Sequence, residues 1–153
     1  MTIEVGKKVP EFTAEATGGP IKLSALKGKA VVLYFYPKDN TPGCTTEGQD
    51  FAAAYAKFRK AGAEVFGISR DSLKSHEGFK KKMDFPFELI SDPDEVLCNA
   101  FGVMKMKNMY GKQVRGIERS TFVVGADGKL ARQWRGVRVP QHVDEVLAFV
   151  QSL

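Results

Sequence analysis

Cys44 occupies a position that suits thiol chemistry, because the residues before it predict the start of a helix. Thr41 is a favourable N-cap and Pro42 suits the first helical position, which places Gly43 and Cys44 in the first turn. Free backbone amides and the helix dipole favour negative charge there, and the thiolate is the reactive form of cysteine. Gly43 has no side chain, so a substrate could approach the backbone closely. The alternative is that Cys44 is a small core residue, although its neighbours form a turn and not an apolar face.

The elements that must position Cys44 alternate between strand and helix patterns. Residues 30–36 (AVVLYFY) form an apolar, β-branched and aromatic run, which is typical of a strand buried on both faces. A helix is predicted after Cys44, since Phe51, Tyr55 and Phe58 are spaced along one side. Ligands in open α/β folds bind at the carboxyl ends of strands, which is where this pattern places Cys44.

The rest of the chain continues the alternation, which implies parallel strands joined by helices, and a turn at 126–128 adds an antiparallel hairpin. We therefore predict an α/β protein of thioredoxin-like fold, one domain over residues 1–153 with a mixed central sheet flanked by helices. Asp92 is predicted to cap a short helix that has Pro93 at its first position. The other predicted elements are strands at 64–69, 87–90, 120–124 and 129–134, helices at 72–83 and from Pro140 onward, and a Met- and Lys-rich loop at 103–116.

Composition and charge argue against several classes of protein. The formal net charge is +5, but acids are interleaved with the basic residues, and the densest basic cluster, residues 80–82, has the pattern of a solvated helix face. We therefore expect no nucleic-acid partner. No secretory signal is visible, and no apolar run approaches the ~20 residues of a membrane span. Two cysteines are too few for a secreted disulfide scaffold, so a soluble cytoplasmic protein is expected.

The segment around Cys44 resembles a known family. Residues 37–44 read PKDNTPGC and match the P-x-x-x-T-x-x-C signature of the peroxiredoxins. The longer string YFYPKDNTPGCTTEGQDF is similar to the bacterioferritin comigratory protein subgroup, also called peroxiredoxin Q, as are LISDPDEVLCNAFGV, ERSTFVV and HVDEVL further along. The resemblance covers nearly the whole chain. It implies a thiol peroxidase that reduces hydrogen peroxide and organic hydroperoxides through a sulfenic acid on Cys44.

The resemblance also implies a role for each matching side chain. Cys44 matches the peroxidatic cysteine, and Thr41 matches the threonine whose hydroxyl bonds the thiolate and the peroxide. Pro37 matches the proline that shields the cysteine from water. Arg119 matches the arginine that stabilises the thiolate and orients the peroxide, and Glu47 resembles the acid that steadies that arginine. Such donors suit an in-line displacement, in which negative charge develops on the leaving oxygen.

Backbone amides also belong to the site that the resemblance implies. Two of the side chains in that site, those of Arg119 and Glu47, have simpler structural interpretations. The resemblance implies that the amides of Gly43 and Cys44 hold the peroxide oxygens. Arg119 could instead form a surface ion pair with Glu118. Glu47 could be an acid that is simply favoured in a first helical turn.

The chain departs from the subgroup in its resolving cysteine. Many members carry a second cysteine five residues after the first, where this chain has Gln49, and others carry one in the next helix, where none occurs near Phe79. Only Cys98 is left, either as a packed small residue or as a resolving thiol, which would need a Cα within about 7 Å of that of Cys44. We predict a one-cysteine enzyme, a monomer or weak dimer, whose sulfenic acid is resolved by an external thiol such as thioredoxin, glutaredoxin or a small thiol.

Two other functions compete with the peroxidase. A thiol–disulfide oxidoreductase on the same fold usually needs a C-x-x-C pair, but the residue three after Cys44 is Glu47. A non-enzymatic chaperone or binding module on a thioredoxin-like scaffold is the other alternative. No cofactor and no metal are expected, because His76 and His142 are far apart in the chain and no Cys/His spacing fits zinc.

Overall fold

The structure, a computed structural model, describes residues 3–153. Strands and helices alternate over residues 30–100, and four consecutive strands precede the last helix. Within the described residues, no helix is both long enough and apolar enough to cross a membrane. The strands are β1 (Thr13–Ala16), β2 (Ile21–Lys22), β3 (Ala30–Phe35), β4 (Ala63–Ser69), β5 (Glu88–Ser91), β6 (Met104–Met109), β7 (Lys112–Ile117), β8 (Ser120–Val124) and β9 (Leu130–Arg135). The helices are α1 (Pro42–Lys60), α2 (Leu73–Met83), α3 (Val96–Ala100) and α4 (His142–Gln151), with a short 3-10 helix at Leu23–Leu26.

In the large sheet, whose strand order is β2-β1-β5-β4-β3-β8-β9, the interior strand β3 lies between β4 and β8. It pairs parallel with β4, which pairs parallel with β5, and antiparallel with β8, which pairs antiparallel with β9. All six residues of β3 are buried, because helices or other elements cover both faces of this strand. The mixed sheet flanked by helices was predicted from the alternation of elements and is confirmed.

The sheet separates two hydrophobic clusters. On one face, Val32 and Tyr34 of β3 pack with the apolar sides of α1, α2 and α4. On the other, Leu33 and Phe35 pack with α3 and the 3-10 helix. This alternation follows from the two-residue period of a strand.

The prediction of a loop at 103–116 is wrong, because this segment forms the β6–β7 hairpin, a two-stranded sheet of its own. The two-residue turn is Tyr110 and Gly111, whose φ angles are 54° and 80°. Positive φ at both positions is typical of a type I′ turn, which usually carries Asn, Asp or Gly at its first position. A tyrosine there gives no turn signal in the sequence. Without a turn signal, the alternation of Met and Lys does not predict a hairpin.

Two helix starts also differ from the prediction. Residues Asp92 to Glu95 form a turn closed by a hydrogen bond from the Glu95 amide to the Asp92 carbonyl, so α3 begins only after Pro93 and Glu95, at Val96. The Asp92 carboxylate still accepts hydrogen bonds from two helical amides, those of Leu97 and Cys98. The last helix begins after Pro140, because Gln141 takes a left-handed conformation as its N-cap.

Candidate active site

Strand pairing brings Cys44 and Arg119 to the same end of the sheet. Cys44 lies in the first turn of α1, which follows the carboxyl end of β3. Because β8 runs antiparallel to β3 with Ser120 opposite Phe35, Arg119 enters at that same end. The two residues are 75 positions apart in the chain, and only this register makes them neighbours.

The Arg119 guanidinium connects the thiol to a buried acid. One terminal nitrogen, Nη2, lies 3.5 Å from Cys44 Sγ, and the other, Nη1, donates to Glu47 Oε1 at 2.7 Å. A side chain at position 43 would meet this group, since a Cβ placed on Gly43 would lie 3.1 Å from Nη2. The pairing with Glu47 differs from the alternative of a surface ion pair between Arg119 and Glu118.

Glu47 is an acid inside the protein core. It is fully buried, and its second oxygen, Oε2, has no hydrogen-bond partner among the described residues. Burial raises the pKa of Glu47 to about 7, and the positive charge of Arg119 opposes that rise. The position of Arg119 over the thiol is therefore set by a carboxyl group that solvent does not reach.

Thr41 begins α1 but does not cap it through its side chain. Its backbone takes the extended conformation of an N-cap, and its hydroxyl donates to the Lys38 carbonyl at 2.7 Å instead of accepting from a helical amide. The first helical hydrogen bond runs from Thr45 to the Thr41 carbonyl, so the amides of Gly43 and Cys44 precede it. The predicted N-cap position is confirmed, although the Thr41 side chain makes no capping hydrogen bond.

The loop that carries Thr41 is held in place by Asp39, a residue that the sequence interpretation did not single out. The Asp39 carboxylate accepts hydrogen bonds from Tyr36 at 2.6 Å and Ser75 at 2.8 Å, and lies 2.7 Å from His76 Nδ1. The Asp39 amide donates to Asp71 at 3.0 Å. The loop after Pro37 is thus tied both to the end of β3 and to the start of α2.

His76 completes this buried cluster. Its Nδ1 lies 2.7 Å from the Asp39 carboxylate and its Nε2 lies 2.9 Å from the Ile90 carbonyl, so both ring nitrogens are within hydrogen-bond distance of protein oxygens. Asp39, Asp71 and His76 have the ligand types of a metal site. Both nitrogens of His76 are already used by protein oxygens, however, and the cluster is complete as a hydrogen-bonded network.

The other histidine is close to the arginine. His142 Nε2 lies 2.8 Å from the Thr121 hydroxyl, next to the start of β8. Burial lowers the pKa of His142 to about 4, with a smaller contribution from the charge of Arg119. His142 is therefore neutral at pH 7.

Cys98 lies away from these groups. It is fully buried in α3 and belongs to the hydrophobic cluster on one face of the sheet, whereas Cys44 belongs to the cluster on the other. Burial and the neighbouring Asp92 raise the pKa of the Cys98 thiol well above its ordinary value. Both cysteines are free.

Comparison with known proteins identifies the group to which this arrangement belongs. The AhpC/TSA family model matches residues 5–133. The chain belongs to the AhpC/TSA family. Peroxiredoxin Bcp of Xanthomonas campestris pv. campestris is 56% identical over 135 residues, covering 88% of this chain and 84% of that protein. Peroxiredoxin Bcp of Bacillus subtilis is 46% identical over 154 residues, covering 100% of this chain and 98% of that protein.

Solved structures agree with the family. A peroxiredoxin Q structure from Xanthomonas campestris superposes with a TM-score of 0.90 at 51% identity, covering 98% of this chain and 96% of that one. A Xylella fastidiosa PrxQ structure reaches a TM-score of 0.92 at 42% identity, with the same coverage. The resemblance to the bacterioferritin comigratory protein subgroup is confirmed, as is the thioredoxin-like fold. This peroxiredoxin is a thiol-dependent peroxidase.

Proposed function

We propose that Cys44 is the nucleophile of this peroxidase and that Arg119, held by Glu47, activates it. The observation that supports this assignment is the bridging guanidinium, with Nη2 at 3.5 Å from the Cys44 sulfur and Nη1 at 2.7 Å from the Glu47 carboxyl. A fixed positive charge beside sulfur favours the thiolate over the thiol. The same charge would stabilise the negative charge that develops on the leaving oxygen during attack.

The proposed reaction is a displacement at oxygen. The Cys44 thiolate attacks one peroxide oxygen, an S–O bond forms as the O–O bond breaks, and the leaving hydroxide or alkoxide takes a proton to become water or an alcohol. The product on the enzyme is a sulfenic acid. Arg119 and the amides of Gly43 and Cys44 donate to the developing charge. The Thr41 oxygen can accept a hydrogen bond from the peroxide while its own hydroxyl donates to the Lys38 carbonyl.

The substrates are proposed to be hydrogen peroxide and organic hydroperoxides. A similar protein, the bacterioferritin comigratory protein of Xanthomonas campestris, is described for alkyl peroxide reduction activity, at 50% identity and a TM-score of 0.90. Gly43 leaves room beside Arg119 for a peroxide oxygen, and Pro37 is proposed to keep water from Cys44. Neither a disulfide oxidoreductase nor a non-enzymatic module is favoured by these comparisons.

Reduction of the sulfenic acid is proposed to need an external thiol, so that the enzyme is of the one-cysteine type. Cys98 is fully buried on the other side of the sheet and its thiol resists ionisation, which makes it a poor attacking group. A small thiol, a thioredoxin or a glutaredoxin would then supply the electrons. Two free cysteines suit a reducing compartment, so we propose the cytoplasm.

Intact mass measurement after one equivalent of peroxide, without reductant, tests the one-cysteine proposal. We expect a gain of one oxygen per chain, both in the wild type and in the matched variant Cys98→Ser. A loss of two hydrogens that disappears in Cys98→Ser would reveal an internal disulfide and overturn the proposal. A disulfide between two chains would also overturn it, because a second copy would then supply the resolving thiol.

A further inference from the structure

One face of the β6–β7 hairpin carries lysines and apolar side chains. Residues opposite each other in an antiparallel pair point to the same side, and the register pairs Lys107 with Val114 and Met109 with Lys112. Lys105 points to that side as well, because side chains alternate along a strand. These five residues are called the lysine face.

The hairpin is attached to the rest of the protein through the face opposite the lysine face. There, Ile117 is buried in the core and Met104 packs against the same cluster, while Arg115 forms an ion pair with Glu95. On the lysine face, Met109 is 50% exposed and Val114 is 41% exposed. Met106, at 60% exposure, is the exposed apolar side chain of the opposite face. Large apolar side chains that are this exposed and grouped on one surface indicate an interaction site.

The lysine face adjoins Cys44. Lys107 leans across Gly116 and donates from Nζ to the Ile117 carbonyl, two residues before Arg119. Burial lowers the pKa of Lys107, and the charge of Arg119 lowers it further. Arg119 in turn places Nη2 3.5 Å from the Cys44 sulfur. The face therefore lies along an approach to Cys44.

The charge of the hairpin is one-sided. Residues 104–117 contain four basic side chains and no acid. Arg115 forms an ion pair with Glu95, which also pairs with Arg70. Among the described residues, the hairpin charges without an ion-pair partner are therefore the lysines at 105, 107 and 112. A symmetric dimer through this face would bring like charges together. The face fits a different molecule with acidic and apolar residues.

We propose that the lysine face docks the protein that reduces this enzyme, a redoxin with acidic and apolar residues around its reactive cysteine. This inference rests on the proposed function, because it supplies the external thiol required by the sulfenic acid on Cys44. Complementary charge would raise the rate of encounter, and the apolar side chains would hold the complex.

The chemistry of the complex consists of two exchange steps. The redoxin thiolate attacks the Cys44 sulfur, an S–S bond forms, and the S–OH oxygen leaves as water after protonation. The second thiolate of the redoxin then attacks the redoxin sulfur that is bonded to Cys44. This step releases the Cys44 thiolate and leaves the redoxin as a disulfide. Cys44 is only 2% exposed, so the first turn of α1 must open for a protein thiol to reach it.

The test compares two reductants on the same variant. The double variant Lys105→Glu/Lys112→Glu is assayed with thioredoxin recycled by NADPH and thioredoxin reductase, and separately with dithiothreitol. We expect kcat/KM for thioredoxin to fall roughly tenfold or more, as for charges that steer association. Turnover with dithiothreitol should stay at the wild-type value. Salt should weaken the wild-type reaction with thioredoxin and leave the variant nearly unaffected.

The matched control is Lys27→Glu/Lys29→Glu, which makes the same change in net charge at the amino end of β3, away from Cys44. It should keep the wild-type kcat/KM for thioredoxin. Equal losses in the two double variants, or no loss in either, would overturn the docking proposal while dithiothreitol turnover leaves the peroxidase assignment standing. A dimer in sedimentation that dissociates in Lys105→Glu/Lys112→Glu, or a nucleic acid bound through these lysines with thioredoxin turnover intact, would overturn it too.

Discussion

At the scale of single residues, Arg119 determines what Cys44 can do. Its two terminal nitrogens lie in one plane, so a hydrogen bond to Glu47 from one of them fixes the direction of the other toward sulfur. A lysine could supply the charge but not this two-sided geometry. Glu47 thus contributes through Arg119, without touching the thiol.

The Thr41 hydroxyl gives a prediction about chemistry, as distinct from shape. Thr41→Ser keeps the hydroxyl that bonds the Lys38 carbonyl. Thr41→Val keeps the volume but loses the oxygen that would bond the peroxide. We expect the serine variant to retain most of the rate of peroxide consumption and the valine variant to lose roughly a hundredfold or more, as for other hydrogen-bonding groups positioned on a transition state. Stopped-flow peroxide consumption is the measurement, and a valine variant as fast as the serine variant would refute this role.

Glu47 predicts a dependence of stability on pH. Its pKa is raised by burial from 4.5 to about 7, so the folded state holds the proton more tightly than the unfolded state. The free energy of unfolding therefore falls as pH rises from about 4.5 to about 7, by roughly 3 kcal/mol from this group, and is unaffected by it above that range. Glu47→Gln should remove this component.

Comparison of the wild type with Glu47→Gln separates the effect of Glu47 from that of His142. His142 acts in the opposite direction, since its lowered pKa of about 4 makes stability rise with pH between about 4 and its ordinary 6.5. Both proteins contain His142, so the difference between their urea unfolding free energies at pH 5, 6, 7 and 8 reports on Glu47 alone. A difference that stays constant over these pH values would contradict the raised pKa.

At the scale of elements, the Asp39 cluster joins the loop before Cys44 to α2. His76→Ala leaves the buried Asp39 carboxylate without its nitrogen partner and should lower the free energy of unfolding by about 3–5 kcal/mol. Ser75→Ala removes a single hydrogen bond to the same carboxylate and should cost about 1 kcal/mol. Urea unfolding of His76→Ala and Ser75→Ala tests this, and equal losses in the two variants would contradict the larger contribution of His76.

The elements differ in how far the sequence predicts them. The apolar run of β3 and the N-terminal signals of α1 are local patterns, and both were predicted correctly. The β6–β7 hairpin was missed because Tyr110 occupies a turn position where its type gives no signal. The start of α3 was placed too early because Asp92 caps the helix from beyond an intervening turn.

The candidate site shows the same limit. Cys44, Thr41 and Pro37 lie in one short motif, so the sequence alone brings them together. Arg119 joins them only through the register of β8 on β3, and the family resemblance was needed to select it. Asp39 and His76 were not selected, because their pairing spans 37 residues and depends on where α2 packs.

At the scale of the whole molecule, the sheet keeps the two cysteines apart. Cys44 and Cys98 belong to different hydrophobic clusters on its two faces, and both thiols are buried. A protein built in this way has one thiol at a positively charged helix start and one in an apolar core. The same thiol group is therefore expected to be reactive in one place and inert in the other.

The assignment of the nucleophile is tested most directly by single-turnover peroxide consumption in Cys44→Ser and Cys98→Ser, with no reductant present. The wild type and Cys98→Ser should each consume one equivalent of peroxide per chain. Cys44→Ser, folded as judged by its circular dichroism spectrum and cooperative unfolding, should consume none. Peroxide consumption by folded Cys44→Ser, or its absence in Cys98→Ser, would contradict the assignment of Cys44 as the nucleophile.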